Sequence, residues 1–247
     1  MSELLAAGGW GLLAGSALLL GALAGYLVRV PPKVVASVMA FGAGVLLSAV
    51  SFDLIDEAYQ LGGAAPTVFG AAGGAVVFTV ANLVLAAQGA RHRKRSGAQQ
   101  AGDSGSGTAI ALGALLDGVP ESIVIGTSLL SGGSVSVTMI AAVFISNVPE
   151  GLSSAAGMRR AGRGPGYVFG VWASIAVISG LAAMFGYGVL GDASPTVLAV
   201  IIASAGGAIL AMIADTMIPE AFDDAHLLIG IITVAGFLTA YGLSQWE

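Results

Sequence analysis

The sequence predicts an all-α, polytopic membrane protein with eight transmembrane helices, and three observations carry that expectation. The 247-residue chain is 56% hydrophobic and 9% charged, with a mean hydropathy of +0.92. A soluble domain of this size has roughly a quarter of its residues charged, so the solvent here is mostly lipid. Apolar runs of about 20 residues, the length that crosses a bilayer as helix, recur with turn chemistry between them. All nine basic residues segregate into three stretches. The runs are too long and unbroken for barrel strands, which alternate over about ten residues.

In order, the spans fall near 4–28, 33–58, 66–87, 107–130, 134–158, 166–190, 195–221 and 226–244. "VRVPPK" closes the first, "LGGAAP" the second, "LSGGS" the fourth and "GDASP" the sixth. The first span begins "MSELL" without a basic flank, and its apolar run is long for a signal peptide, so it reads as a retained helix. Residues 88–107, "QGARHRKRSGAQQAGDSGSG", are basic and then rich in Gly, Ser and Gln, the composition of a flexible cytoplasmic loop. Its one histidine, His92, is too little for a metal-sensing tract. The whole chain, 1–247, reads as a single transmembrane domain.

Orientation follows from the basic residues. Arg29 and Lys33 lie in the first connection; Arg91, Arg93, Lys94 and Arg95 in the third; Arg159, Arg160 and Arg163 in the fifth. Odd-numbered connections share one side, and the positive-inside bias makes that side the cytoplasm, with both termini outside and a plasma (inner) membrane location. Cysteine is absent, which excludes disulfides and thiolate metal sites. The net charge of −5 is so segregated that it says little of partners, and nothing points to nucleic acid.

Residues 40–58, "AFGAGVLLSAVSFDLIDEA", align without gaps on 203–221, "ASAGGAILAMIADTMIPEA". These segments belong to spans two and seven, which run in opposite directions. The expectation is a 3+2+3 arrangement: two inverted three-helix repeats around spans four and five, a design that places a transporter's site near the bilayer midplane.

The chemistry sits in those central spans. "LLDGVPESIV" (115–124) and "ISNVPEGLSS" (145–154) both read polar-x-x-Pro-Glu. Asp117 and Glu121 share one helix face at i, i+4, as do Ser146 and Glu150, with Asn147 beside them. The short "LSGGSV" connection makes spans four and five antiparallel neighbours whose polar faces oppose each other. A carboxylate in the bilayer centre costs at least about 2.5–3.5 kcal/mol. With no basic residue in nearby spans, these acids must be protonated, hydrated or bound to a cation. Pro120 and Pro149 are helix kinks that release the carbonyls of Leu116 and Ile145, which suits a polar chamber. Asp53, Asp56 and Glu57 in span two, and Asp215, Glu220, Asp223 and Asp224 in span seven, read as an acidic entrance and exit that concentrate cations. Asp53 and Asp215 are expected deepest.

On these motifs the whole chain resembles the ZIP family of divalent metal transporters. The shared features are paired Pro-Glu motifs in spans four and five, a long loop after span three, outside termini and the "IPEA" ending of span seven. In that family the central helices carry His-Asn-x-Pro-Glu-Gly or a close variant around a binuclear metal centre. Here Asp117 stands at the first histidine position, Gly118 at the asparagine and Glu121 at the glutamate. Ser146 stands at the second histidine position, and Asn147, Glu150 and Gly151 are kept. The family's span-six "SGLAEP" reads "SGLAAM", with Ala183 at the glutamate.

The resemblance implies transport of divalent metal into the cytoplasm, zinc first, by an elevator-like alternating access in which spans one, four, five and six slide against the rest. It also implies a homodimer. The metal is substrate, and no cofactor is implied; the protein is not expected to be an enzyme. The remaining ligands are all oxygen, which argues for harder or broader selectivity, Mn²⁺ or Fe²⁺ with Cd²⁺ and Co²⁺, and for one principal site. The alternatives are a transport-dead metal-sensing relative and an intramembrane carboxylate hydrolase. The hydrolase is disfavoured because no His-Glu-x-x-His motif exists and His92 and His226 lie near helix ends.

Overall fold

A computed structural model of the chain describes residues 2–87, 106–130, 137–225 and 228–245, and structural statements concern these residues. They form eight helical rods. We label them α1 (Ser2–Leu27), α2 (Pro32–Ala49, continued through Val50–Leu54 and Ile55–Gly62), α3 (Ala64–Leu85) and α4 (Ser106–Ser128). Then come α5 (Val137–Arg160), α6 (Pro165–Leu190), α7 (Pro195–Met212, continued through Ile213–Met217 and Ile218–Ala225) and α8 (Ile229–Ser244). Each lies where a span was expected, with ends displaced by four residues or fewer. Six rods are long and apolar enough to cross a membrane: α1, α2, α3, α5, α6 and α7. α4 carries two acids and a proline, and α8 at 16 residues is short for a bilayer. Of the loop expected over 88–107, only Ser106 and Gly107 are described, and they are the start of α4 rather than loop. His92, the basic cluster 91–95 and His226 lie outside the described residues.

Local chemistry explains the ends. Proline opens α2, α6 and α7, where its missing N–H is no loss. Gly63 (φ 74°) and Gly162 (φ 80°) follow α2 and α5 in the left-handed region that a Cβ resists. Within α2 and α7 one turn widens to π geometry, at Val50–Leu54 and Ile213–Met217. Composition gives no warning of these turns. They fall at the same point of the gapless sequence alignment, since 213 − 50 and 203 − 40 are both 163.

The rods pack in corresponding pairs. α1 packs closely on α5 and α6, and α6 in turn on α4; α2 packs on α8 and α3 on α7. Between these two groups α2 meets α5 and α4 meets α7. Exchanging α1 with α6, α2 with α7, α3 with α8 and α4 with α5 maps the α1–α6 interface onto itself and turns each of the others into another of the set.

The glycines make the correspondence residue-specific. Gly21 lies against the Val148 carbonyl and Gly151 against that of Leu18; Gly186 lies against the Ile123 carbonyl and Gly126 against that of Ala183. In the other group Gly44 meets the Thr233 carbonyl and Gly236 that of Phe41, while Gly207 meets Ala71 and Gly74 meets Ser204 in the same way. One set of shifts converts each contact into its counterpart: +165 for α1 to α6, +163 for α2 to α7, +162 for α3 to α8 and +25 for α4 to α5. Any Cβ at these eight positions would overlap a main-chain oxygen. Lipid supplies no hydrophobic drive between helices, so backbone-close packing of this kind is what holds them together.

Large apolar side chains cover the outside, with Phe69, Val77 and Ile231 at least two-thirds exposed. The interior combines small residues with large apolar ones such as Trp172, Phe78 and Ile202, and it also holds the buried polar side chains. Among the described residues the cations lie in the first connection (Arg29), in the opening turn of α2 (Lys33), at the end of α5 (Arg159 and Arg160) and just beyond it (Arg163). The Arg159 guanidinium donates to the Tyr26 carbonyl, which brings the end of α1 to the end of α5. At the other end the Tyr187 hydroxyl donates to Glu3 Oε2, joining the start of α1 to the end of α6.

Candidate functional site

α4 and α5 carry the polar motifs into the interior. Asp117 is 3% exposed, Glu121 2% and Glu150 8%, and Ser146 and Asn147 are buried with them. No basic side chain is buried among the described residues. Three carboxylates enclosed without a buried cation are costly unless something else compensates them.

Both helices run unbroken through their prolines. Pro149 is buried, whereas Pro120 borders an apolar groove of about 520 Å³ between α3, α4 and α7. The neighbouring hydroxyls are committed to local carbonyls. Ser146 Oγ donates to Val143 O at 3.0 Å, Ser122 Oγ to Gly118 O at 2.7 Å and Ser153 Oγ to Glu150 O at 3.3 Å. Each keeps its oxygen lone pairs as acceptors or ligands. Asn147 Nδ2 donates to Ala14 O of α1 at 3.0 Å; its Oδ1 is the atom that could hold a metal. Gly42 lets α2 pass over Ser146, where an added Cβ would stand 3.1 Å from Ser146 Cα.

One expectation is corrected. α4 and α5 are not close neighbours: they touch only briefly, and each packs instead on α1 or α6. The physical reason is that Gly126 and Gly151, which allow backbone approach, face Ala183 of α6 and Leu18 of α1 rather than each other. Accordingly, among the described residues no three His, Cys, Asp or Glu side chains stand close enough to share one metal ion. Of the flanking acids, Asp215 is exposed in the π turn of α7, while Asp53 is half-buried in that of α2. Glu57 and Glu220 are half-buried and Asp56 and Asp223 exposed; the side chain of Asp224 lies outside the described residues.

The packing correspondence also shows that the two Pro-Glu motifs are not counterparts. The motifs match at a shift of 29, from Glu121 to Glu150, but the helices match at 25. The difference of four is about one helical turn. Glu121 therefore corresponds to Ser146, and Asp117 to Ala142.

Sequence reasoning missed Ser179. It is buried on α6, close to Gly15 of α1 and facing Gly118 of α4, and so adds an oxygen beside the Asp117 turn. The signal was present as the first residue of "SGLAAM". Ala183 in that segment is a packing position: its Cβ abuts Gly11 and its carbonyl meets Gly126.

Fold and site together define a helical membrane protein with an acidic interior. No protein-family model matches the chain, and comparison with curated proteins returns no relative.

Proposed function

We propose that this protein transports divalent metal cations across a membrane, through an interior site provided by Asp117, Glu121 and Glu150 with Ser146 and Asn147. The observation that carries this reading is the burial of three carboxylates on two helices, together with the oxygen-bearing side chains of Ser146 and Asn147. A dication balances the charge of such an oxygen-rich set. All the ligating atoms are oxygens, so Zn²⁺, Mn²⁺, Fe²⁺, Co²⁺ and Cd²⁺ all qualify as substrates, with preference toward the harder ions. A single principal site is the economical version, because Ala183 is filled by packing.

In this reading all eight rods span the plasma membrane as inverted 3+2+3 repeats. The basic end is cytoplasmic, the termini are outside, and transport is inward. The paired interfaces support it, since repeats that exchange two arrangements are the basis of alternating access. The helix groups support an elevator-like motion: every glycine–carbonyl lock described above lies within α1–α4–α5–α6 or within α2–α3–α7–α8, and none joins the groups. Glu150 and the α4 acids come together around the ion as it binds. A homodimer is part of the proposal only through the ZIP resemblance.

Uptake of radiolabelled metals by proteoliposomes tests the reading. The unmutated protein should accumulate at least one of the five metals, and Glu121→Ala and Glu150→Ala should each abolish uptake while remaining folded. No uptake of any metal by the unmutated protein would sink transport, and metal binding without uptake would leave the sensor.

A further inference from the structure

At the basic end, the closing turns of α1 and α5 and the first connection enclose a cavity of about 360 Å³. Its wall includes three guanidinium-bearing residues, Arg29, Arg159 and Arg160, with Gly25 and Ala156 as small residues between them. None of the described lining residues is acidic. We propose that this cavity binds a phosphate-bearing anion, and specifically the phosphodiester headgroup of an anionic membrane lipid.

Three features point to that ligand. The first is charge geometry: guanidinium groups are the side chains whose planar donor forks match phosphate oxygens. Arg159 is pre-positioned, because its guanidinium lies 5.6 Å from the Tyr26 ring centroid and donates to the Tyr26 carbonyl. With five N–H donors it retains others for a ligand. The second is size. A water occupies about 30 Å³, so the cavity accommodates a phosphate together with its glycerol. The third is the approach: Val28 lines the cavity and, like its chain neighbour Leu27, is exposed and apolar, a surface for acyl chains rather than for a soluble anion. Capping of the Tyr26 carbonyl accounts for Arg159, and Arg29 and Arg160 bring two further guanidinium groups to the same cavity wall. Anionic lipids enrich the cytoplasmic leaflet, and basic pockets between helix ends are where their headgroups are held. The inference rests on the membrane placement of the helices and not on metal transport.

Native mass spectrometry of the full chain released from mixed phosphatidylglycerol and phosphatidylcholine nanodiscs provides the test. The unmutated protein should retain phosphatidylglycerol in preference to phosphatidylcholine. The R29Q/R160Q double variant, which leaves the Arg159–Tyr26 contact in place, should lose that preference by about fivefold per arginine. Arg163→Gln is the control, since Arg163 stacks on Tyr167 at 5.2 Å and does not line the cavity. A parallel arm titrates inorganic phosphate. Displacement of the lipid by millimolar phosphate would keep the phosphate chemistry and identify a soluble source, and no displacement supports the headgroup. Equal retention of the two lipids by the unmutated protein, or an unchanged preference in R29Q/R160Q, overturns the proposal.

Discussion

The Asn147 side-chain amide donates to the main-chain carbonyl of Ala14 at 3.0 Å, so one of the motif residues is also the tie between α5 and α1. The bond lies inside the same interface in which Gly21 and Gly151 bring the two backbones together. Replacing Asn147 with alanine removes the bond and should lower stability by about 0.6–1.7 kcal/mol, the measured range for hydrogen bonds between membrane helices. Asn147→Asp should cost more, because an oxygen acceptor then faces the carbonyl. Thermal melts in detergent read the order. An N147D protein that melts with the wild type would show that the tie contributes nothing.

The glycine locks make a sharper stability prediction. A methyl at Gly151 must displace the Leu18 carbonyl, and a methyl at Gly126 must displace that of Ala183. Backbone atoms cannot rotate away as a side chain does, so Gly151→Ala and Gly126→Ala should each destabilise by at least about 1–3 kcal/mol. Gly230→Ala is the matched control in α8, with open space around it, and should be neutral or slightly stabilising. Since Gly126 and Gly151 are counterparts under the packing correspondence, their losses should be similar. A large loss at one and none at the other would contradict the duplicated packing.

The positions of the helices were legible because hydropathy and length decide them almost alone, and Pro32, Pro165 and Pro195 mark three starts. The echo of 40–58 in 203–221 also gave the correct shift of 163, which Gly44 and Gly207 obey in space. The relation of α4 to α5 was not legible. The short "LSGGSV" connection suggested opposed faces, whereas Gly126 and Gly151, which meet α6 and α1, decide where the backbones go. Nor was the exposure of Asp215 legible. A π turn advances the helix by an extra residue per turn and so rotates side chains off the face that a 3.6-residue count predicts.

Ligand type should govern metal preference. Asp117 and Ser146 occupy the positions where the ZIP-like pattern carries histidine, and both are buried beside the glutamates' helix turns. Imidazole nitrogen favours zinc over manganese more strongly than carboxylate or hydroxyl oxygen does. Ser146→His should therefore raise the ratio of zinc to manganese uptake several-fold, and Asp117→His should raise it in the same direction. Competition between the two ions in one proteoliposome assay measures the ratio directly. An unchanged ratio in both variants would remove these positions from the coordination sphere.

The burial of Glu121 and Glu150 separates a metal site from helix packing through stability in the presence and absence of metal. Placing an ionised carboxylate in a membrane interior costs about 2.5–3.5 kcal/mol, so Glu121→Gln and Glu150→Gln should raise the melting temperature of the metal-free protein. The same substitutions remove a ligand, so they should shrink the rise that metal produces. For the unmutated chain that rise corresponds to about 2.7 kcal/mol at a metal concentration one hundred times Kd. Acids that are merely protonated and hydrogen-bonded between helices give the opposite pattern. Glutamine would then be neutral or destabilising in the metal-free protein, and added metal would shift neither the variants nor the wild type. Melts with and without Mn²⁺ and Zn²⁺, run on the same three proteins, decide between the two.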